Sequence, residues 1–239
     1  MRLHRLLTCS SSALALVLSA AYTPLAHADT IDWATWSSVT SGSPGSASGT
    51  IGSLTVSYSG QTSGLLTDYP SWNPTSSYIG GVVGNAPPAA NNSVKLEGGV
   101  SYTETITFSS VVADPIIAIW SLGAGGDQAS FVFPSTEPIS LVAGGPSTEY
   151  GGSSLTLSGN SVLGSEGNGV VVVNGDYSSI TFTTPQYESY YAFTAGEDQT
   201  LTSQLPNGPV VPEPATFSLL GLGLAVLPFA RARFSRPRA

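Results

Sequence analysis

Between Asp29 and Gly208, apolar side chains recur at every second position in short runs. In SLTVSY, Leu54, Val56 and Tyr58 share one side, and in YTETITF, Ile106 and Phe108 are apolar while Thr103, Thr105 and Thr107 face the other way. SSLTLSG repeats the pattern with Leu155 and Leu157, and SSITFTT with Ile180 and Phe182. A period of two predicts half-buried antiparallel strands. Two runs are apolar throughout, PIIAIWSL (Pro115 to Leu122) and GVVVVNG (Gly169 to Gly175), and predict central strands covered on both faces. The turn signals GAGGD, AGGP, YGG, SEGNG and NGDYSS separate the runs, and no helical period is evident. About ten to twelve strands in about 180 residues predict an all-β body over residues 29–208. The expected form is a single antiparallel β-sandwich, jelly-roll-like.

Two stretches break the rhythm. VTSGSPGSASGT, Val39 to Thr50, is rich in Gly, Ser and Pro and reads as a loop. YPSWNPTSSYIGGVVGNAPPAANNS, Tyr69 to Ser93, is longer than an ordinary connection and has little periodicity. Long irregular loops of this kind often bind ligands or act as lids. Within it Tyr69, Trp72 and Tyr78 are candidates for an aromatic platform under a sugar ring. The alternative is that these rings cap an open end of the sandwich core.

The ends follow other rules. MRLHRLL supplies a basic start through Arg2 and Arg5, ALALVLSAA (Ala13 to Ala21) a short apolar stretch, and Ala26-His27-Ala28 a small-x-small cleavage site before Asp29. These three parts in order predict a signal peptide over residues 1–28, removed by signal peptidase. Its loss would take away Cys9, His4 and His27, the only cysteine and the only histidines of the chain. A mature body without them can assemble no Ser-His-Asp or Cys-His catalytic group and no zinc site with His or Cys ligands. Carboxylates, hydroxyls, tyrosines and Lys95 remain, so the protein is expected to be non-enzymatic and to need no cofactor.

Charge sharpens this picture. The formal net charge is −8, yet the stretch from Asp29 to Val210 carries thirteen net negative charges, with Lys95 its only basic residue. Such a surface repels nucleic acid. Any bound metal would be a hard cation with oxygen ligands, calcium above all. Asp127, Glu166 and Asp176 lie in Gly-rich turns suited to it, although no calcium-loop pattern occurs and acids in turns are ordinarily just solvated. A carbohydrate-active enzyme would need two carboxylates at a defined separation. Glu97, Glu104, Glu137, Glu149 and Glu188 are all available, so availability does not discriminate.

The other four arginines, Arg231, Arg233, Arg236 and Arg238, close the chain after an uncharged run from Ala215 to Ala230. As a helix that run would extend ~24 Å at ~1.5 Å per residue, slightly short of a bilayer core, a gap that snorkelling arginines can close. It predicts a transmembrane segment over about residues 215–230 with its stop-transfer arginines on the cytoplasmic side. Before it stand Pro212, Glu213 and Pro214. The two prolines keep the segment extended and accessible to a protease, and the glutamate cannot enter lipid.

VPEP at 211–214, then LLGLGLAVL, then RARFSRPR closely resembles the PEP-CTERM sorting signal of Gram-negative bacteria, over about residues 209–239. The resemblance implies an exosortase substrate. Exosortase, a membrane-embedded enzyme with a catalytic cysteine, would recognise Pro212-Glu213-Pro214 at the outer face of the inner membrane and cleave nearby. It further implies transient anchoring by the C-terminal helix, then a cell-surface or extracellular place linked to exopolysaccharide and biofilm or floc matrix. ETITFSSVVADPIIAIWSLG, LTLSGNSVLGSEGNGVVVVNGDYSSITFTTP and YYAFTAG are similar to bodies associated with that tail. The functions left standing are a structural or polysaccharide-binding matrix protein, a carbohydrate-active enzyme, and a permanently membrane-anchored surface protein.

Overall fold

The computed structural model describes residues 28–68 and 70–205. The signal segment with Ala26, the ring of Tyr69, the Pro212-Glu213-Pro214 motif, the 215–230 segment and the terminal arginines lie outside the described residues. Among the described residues no helix is long and apolar enough to cross a membrane.

The described residues form fifteen strands, more than the periodicity predicts. They are β1 (Asp32–Trp33), β2 (Thr35–Thr40), β3 (Gly42–Ile51), β4 (Leu54–Thr62), β5 (Gly64–Leu66), β6 (Ser93–Gly98), β7 (Glu104–Ala113) and β8 (Ile116–Leu122). There follow β9 (Ala129–Val132), β10 (Ile139–Pro146), β11 (Thr156–Ser158), β12 (Ser161–Gly164), β13 (Gly167–Val173), β14 (Asp176–Phe182) and β15 (Tyr187–Glu197). The chain then enters one short helix, α1 (Gln199–Thr202), capped by the Asp198 side chain.

All strand pairings are antiparallel. One sheet runs β10-β13-β8-β15-β6-β5, with β1 paired to β15; a second runs β14-β7-β4-β3-β2; a small third runs β11-β12-β9. One core is shared by all three. Trp36 and Tyr58 of the five-stranded sheet, Phe131 of the three-stranded sheet and Phe193 of the seven-stranded sheet are buried in it together. The inward residues are those the alternation selects: Val56 and Tyr58, Ile106 and Phe108, Ile180 and Phe182 are all buried.

β8 and β13 are buried at every position, as their unbroken apolar runs require. Their second faces are covered by Ile31, Trp33, Trp72, Tyr78 and Val83. The irregular stretch after Asp68, with two short 3-10 turns at Thr75–Ser77 and Ala89–Asn91, therefore works as a lid on the seven-stranded sheet. It lies against the outer face of the sheet, not at an open end of the core between the sheets.

Two local expectations fail for physical reasons. Val39 to Thr50, read as a loop, falls mostly in β2 and β3, and β3 is paired on both sides, Ala47 matching Val39 and Tyr58. Pairing along both edges outweighs the weak strand preference of Gly and Ser. Gly49 is obligatory there, because a Cβ would strike the carbonyl of Thr35. Leu155 and Leu157 do not share a side. Leu155 is buried where the side chains of Gly164, Gly167 and Gly169 would otherwise stand, whereas Leu157 is 40% exposed.

Candidate functional site

Strand register brings chemistry together at one end of the seven-stranded sheet. Ala192 of β15 pairs with Trp120 of β8 on one side and Lys95 of β6 on the other, which puts all three on one face. Trp120 is buried and sits between two tyrosines, with ring centroids 5.8 Å from Tyr150 and 5.6 Å from Tyr190. The Lys95 ammonium stands 4.6 Å from the Tyr190 ring centre, a cation–π contact. Tyr150 is 51% exposed. The result is a solvent-facing aromatic patch with a rigid floor and one positive charge.

Glu149 fixes the patch. Its carboxylate accepts from Trp120 Nε1 at 3.3 Å, Ser147 Oγ at 3.0 Å and Thr148 Oγ1 at 3.1 Å, and from the Ser71 hydroxyl on its other oxygen. Burial works to raise its pKa, but these four donors outweigh burial and hold it below the usual carboxylate value. Glu149 thus ties the turn that carries Tyr150, and the segment that carries Ser71, to the indole of Trp120.

Two further carboxylates stand at the same end. Glu188 Oε2 accepts from the Gly123 N–H at 2.9 Å, and its Oε1 from the Tyr190 N–H at 3.3 Å. Burial pushes its pKa up to about 7 against those two donors, with a small upward push from neighbouring Glu166. Glu166 accepts from Ser121 Oγ at 2.6 Å, and both Glu166 and Ser121 have left-handed backbone, φ 56° and 55°. A buried carboxyl raised to about 7, with a second carboxylate side chain near it and tilted aromatic rings at the same end, can bind a polyol and can hold a proton near neutral pH.

The residues singled out in the sequence are placed differently. Trp72 and Tyr78 are 1% and 0% exposed and pack edge-to-face at 5.1 Å, so neither presents a ring face to solvent. Asp127 sits on an exposed turn closed by its own backbone bonds to Ala124, and Asp176 is exposed at the start of β14. Among the described residues no three Asp, Glu, His or Cys side chains gather as a metal-ligand set. Glu104 is fully buried, accepting from Tyr58, Gln61 and Thr184. Glu137 holds the β14 edge through Thr181 N and Oγ1, both at 2.7 Å.

Trp120, Tyr150 and Tyr190 escaped the sequence reading. Trp120 looks like any residue of a buried strand, and Tyr150 like part of a turn. The outer face of the five-stranded sheet is a second open surface, with two shallow grooves of about 320 and 360 Å³ lined mainly by Ser and Thr and by no carboxylate or amine.

Residues 210–233 match the family model of the PEP-CTERM protein-sorting motif. The chain therefore carries this motif, which marks it for export and for exosortase. Searches of curated proteins and of solved structures find no match to the chain.

Proposed function

We propose that the chain is an exported, exosortase-processed surface or extracellular-matrix protein. Its body, a jelly-roll-like β-sandwich over 29–208, associates with exopolysaccharide and catalyses nothing. Signal peptidase cuts after Ala28, and exosortase acts at Pro212-Glu213-Pro214 while the 215–230 helix holds the chain in the inner membrane. The observation that carries the proposal is the sorting motif at residues 210–233. Cells with and without exosortase should yield mature proteins of different mass, the tail being lost only when the enzyme is present. A tail retained in both would favour a permanently anchored surface protein.

The aromatic patch supports polysaccharide association. Tyrosine rings on a fixed indole floor offer apolar faces to sugar C–H groups, while Lys95, Glu149 and the hydroxyls around them serve the sugar oxygens. Replacing Tyr150 with Ala should weaken binding to the producing cell's exopolysaccharide by about threefold to tenfold, one ring being worth roughly 0.5–1.5 kcal/mol beyond area. Unchanged retention on immobilised polysaccharide would move the site elsewhere, the Ser/Thr face being next.

One observation favours a second reading, a carbohydrate-active enzyme. Glu188, whose pKa burial raises to about 7, has the make-up of a general acid with a second carboxylate side chain, Glu166, near it. Release of reducing ends from the same polysaccharide, abolished by Glu188→Gln, would establish it.

A further inference from the structure

The opposite end of the seven-stranded sheet gathers carboxyl groups with no basic side chain set against them among the described residues. β1 sets Asp32 against Glu197 in register. Asp198 follows, with Oδ1 accepting from the N–H groups of Thr200 at 2.8 Å and Leu201 at 3.4 Å. Its carboxyl also meets that of Asp29. Glu197 and Asp198 are 2% and 1% exposed, and Glu197 Oε2 and Asp198 Oδ2 have no hydrogen-bond partner. Buried carboxylate oxygens without partners are costly. Lys95, the only basic residue of the body, is committed to Tyr190 at the far end.

Asp29 is itself held in place. Its N–H donates to the Val82 carbonyl at 2.9 Å, and its carbonyl accepts from Gly84 N–H at 2.8 Å. Its nitrogen is thereby fixed in the residue whose own carboxyl meets that of Asp198.

We propose that the Asp29–Asp32–Glu197–Asp198 cluster is a cation-binding site whose occupant is the chain's own α-ammonium, created when the export signal is cut after Ala28. The proposal rests on that cleavage. Hydrolysis of the Ala28–Asp29 peptide bond consumes one water. Its hydroxyl completes the Ala28 carboxylic acid, and the Asp29 nitrogen takes up the protons that make it an ammonium. An amide nitrogen has one hydrogen, already given to Val82. An ammonium has three, so it keeps that bond and has two more for carboxylate oxygens, and it adds a positive charge where none stood. Because no three acids converge as a metal-ligand set among the described residues, a cation held by hydrogen bonds fits the cluster better than a divalent metal. Until the signal is removed, the cluster stays uncompensated and the pairing of β1 with β15 is weakened.

The test uses the processed protein as it accumulates outside the cell, carrying Lys95→Arg so that the α-amine is its only amine. Mass spectrometry first reads the N-terminus. Acetylation then removes its charge, and reductive dimethylation keeps it. Acetylation, which removes the charge and the added hydrogens, should lower Tm by about 3–8 °C, given the ~2–4 °C per kcal/mol expected for a body of this size, while dimethylation, which keeps the charge but leaves one N–H, should lower it clearly less. In Glu197→Gln and in Asp198→Asn the loss on acetylation should shrink to less than about half. An N-terminus other than Asp29 would overturn both the cleavage site and the proposal. A free Asp29 whose acetylation leaves Tm unmoved would overturn the proposal alone. So would calcium raising Tm of the free form as much as that of the acetylated form, because the cluster would then hold a metal.

Discussion

Phe193→Ala should destabilise the protein by about 3–5 kcal/mol, the range for truncating a fully buried Phe. Phe193 is 0% exposed on β15, and its ring meets rings from the two other sheets. It lies 6.1 Å from Trp36 of β2, 5.2 Å from Tyr58 of β4, 5.9 Å from Phe182 of β14 and 6.4 Å from Phe131 of β9. Next to it Trp36 Nε1 donates to Thr194 Oγ1 at 3.1 Å, so the same strand also anchors the indole. Removing the ring leaves four aromatic neighbours around a void that none of them can fill without leaving its own strand. Against a typical total stability of ~5–15 kcal/mol, this loss is large enough to threaten folding at 37 °C. Urea unfolding should show a lower midpoint at unchanged slope. Tyr187→Ala is the control: that ring is 72% exposed, and its loss should cost less than ~0.5 kcal/mol. A cost below ~1 kcal/mol for Phe193→Ala would mean that the sheets do not share a core.

The arrangement that gives Phe193 this weight was largely legible in the chain. Alternation picked out Val56, Tyr58, Ile106, Phe108, Ile180 and Phe182 as inward, because a strand with one wet face must segregate its side chains at period two. The unbroken runs at 115–122 and 169–175 marked the two strands with no wet face. What local pattern cannot carry is pairing. β3 has the composition of a linker and is a strand because neighbours on both edges satisfy its backbone. The patch of Lys95, Trp120, Tyr150 and Tyr190 exists only because β6, β8 and β15 lie side by side in one register. The sorting signal was legible for the opposite reason: its tripeptide, apolar run and arginines are contiguous, so order along the chain is the whole of the message.

Stability should also fall as pH rises from about 5 to 8, and Glu188 is the main cause. In the unfolded chain its carboxyl titrates near its ordinary 4.5; in the fold burial raises it to about 7. Between those values the folded state holds a proton that the unfolded state has released, so unfolding becomes easier with each step in pH. The stabilisation is complete below about pH 4.5 and gone above about pH 7. Glu104, raised chiefly by burial despite its bonds from Thr184, Tyr58 and Gln61, acts in the same direction. Glu149 acts in the other: its donors hold it ionised, and that contribution is lost as pH falls through its lowered value. Melting temperature should therefore peak on the acid side of neutrality, near pH 5, and Glu188→Gln should flatten the decline above the peak, because an amide has no proton to lose. A curve of unchanged slope in Glu188→Gln would show that this carboxyl is ionised in the fold at neutral pH and would remove it as a candidate general acid. The N-terminus enters the same curve. With an amide at Asp29, burial, helped by Asp32 and Asp198, pushes Glu197 up to about 7. An ammonium beside it favours the carboxylate and draws that value down. The acetylated protein should accordingly lose stability more steeply between about pH 5 and 7 than the protein with a free Asp29.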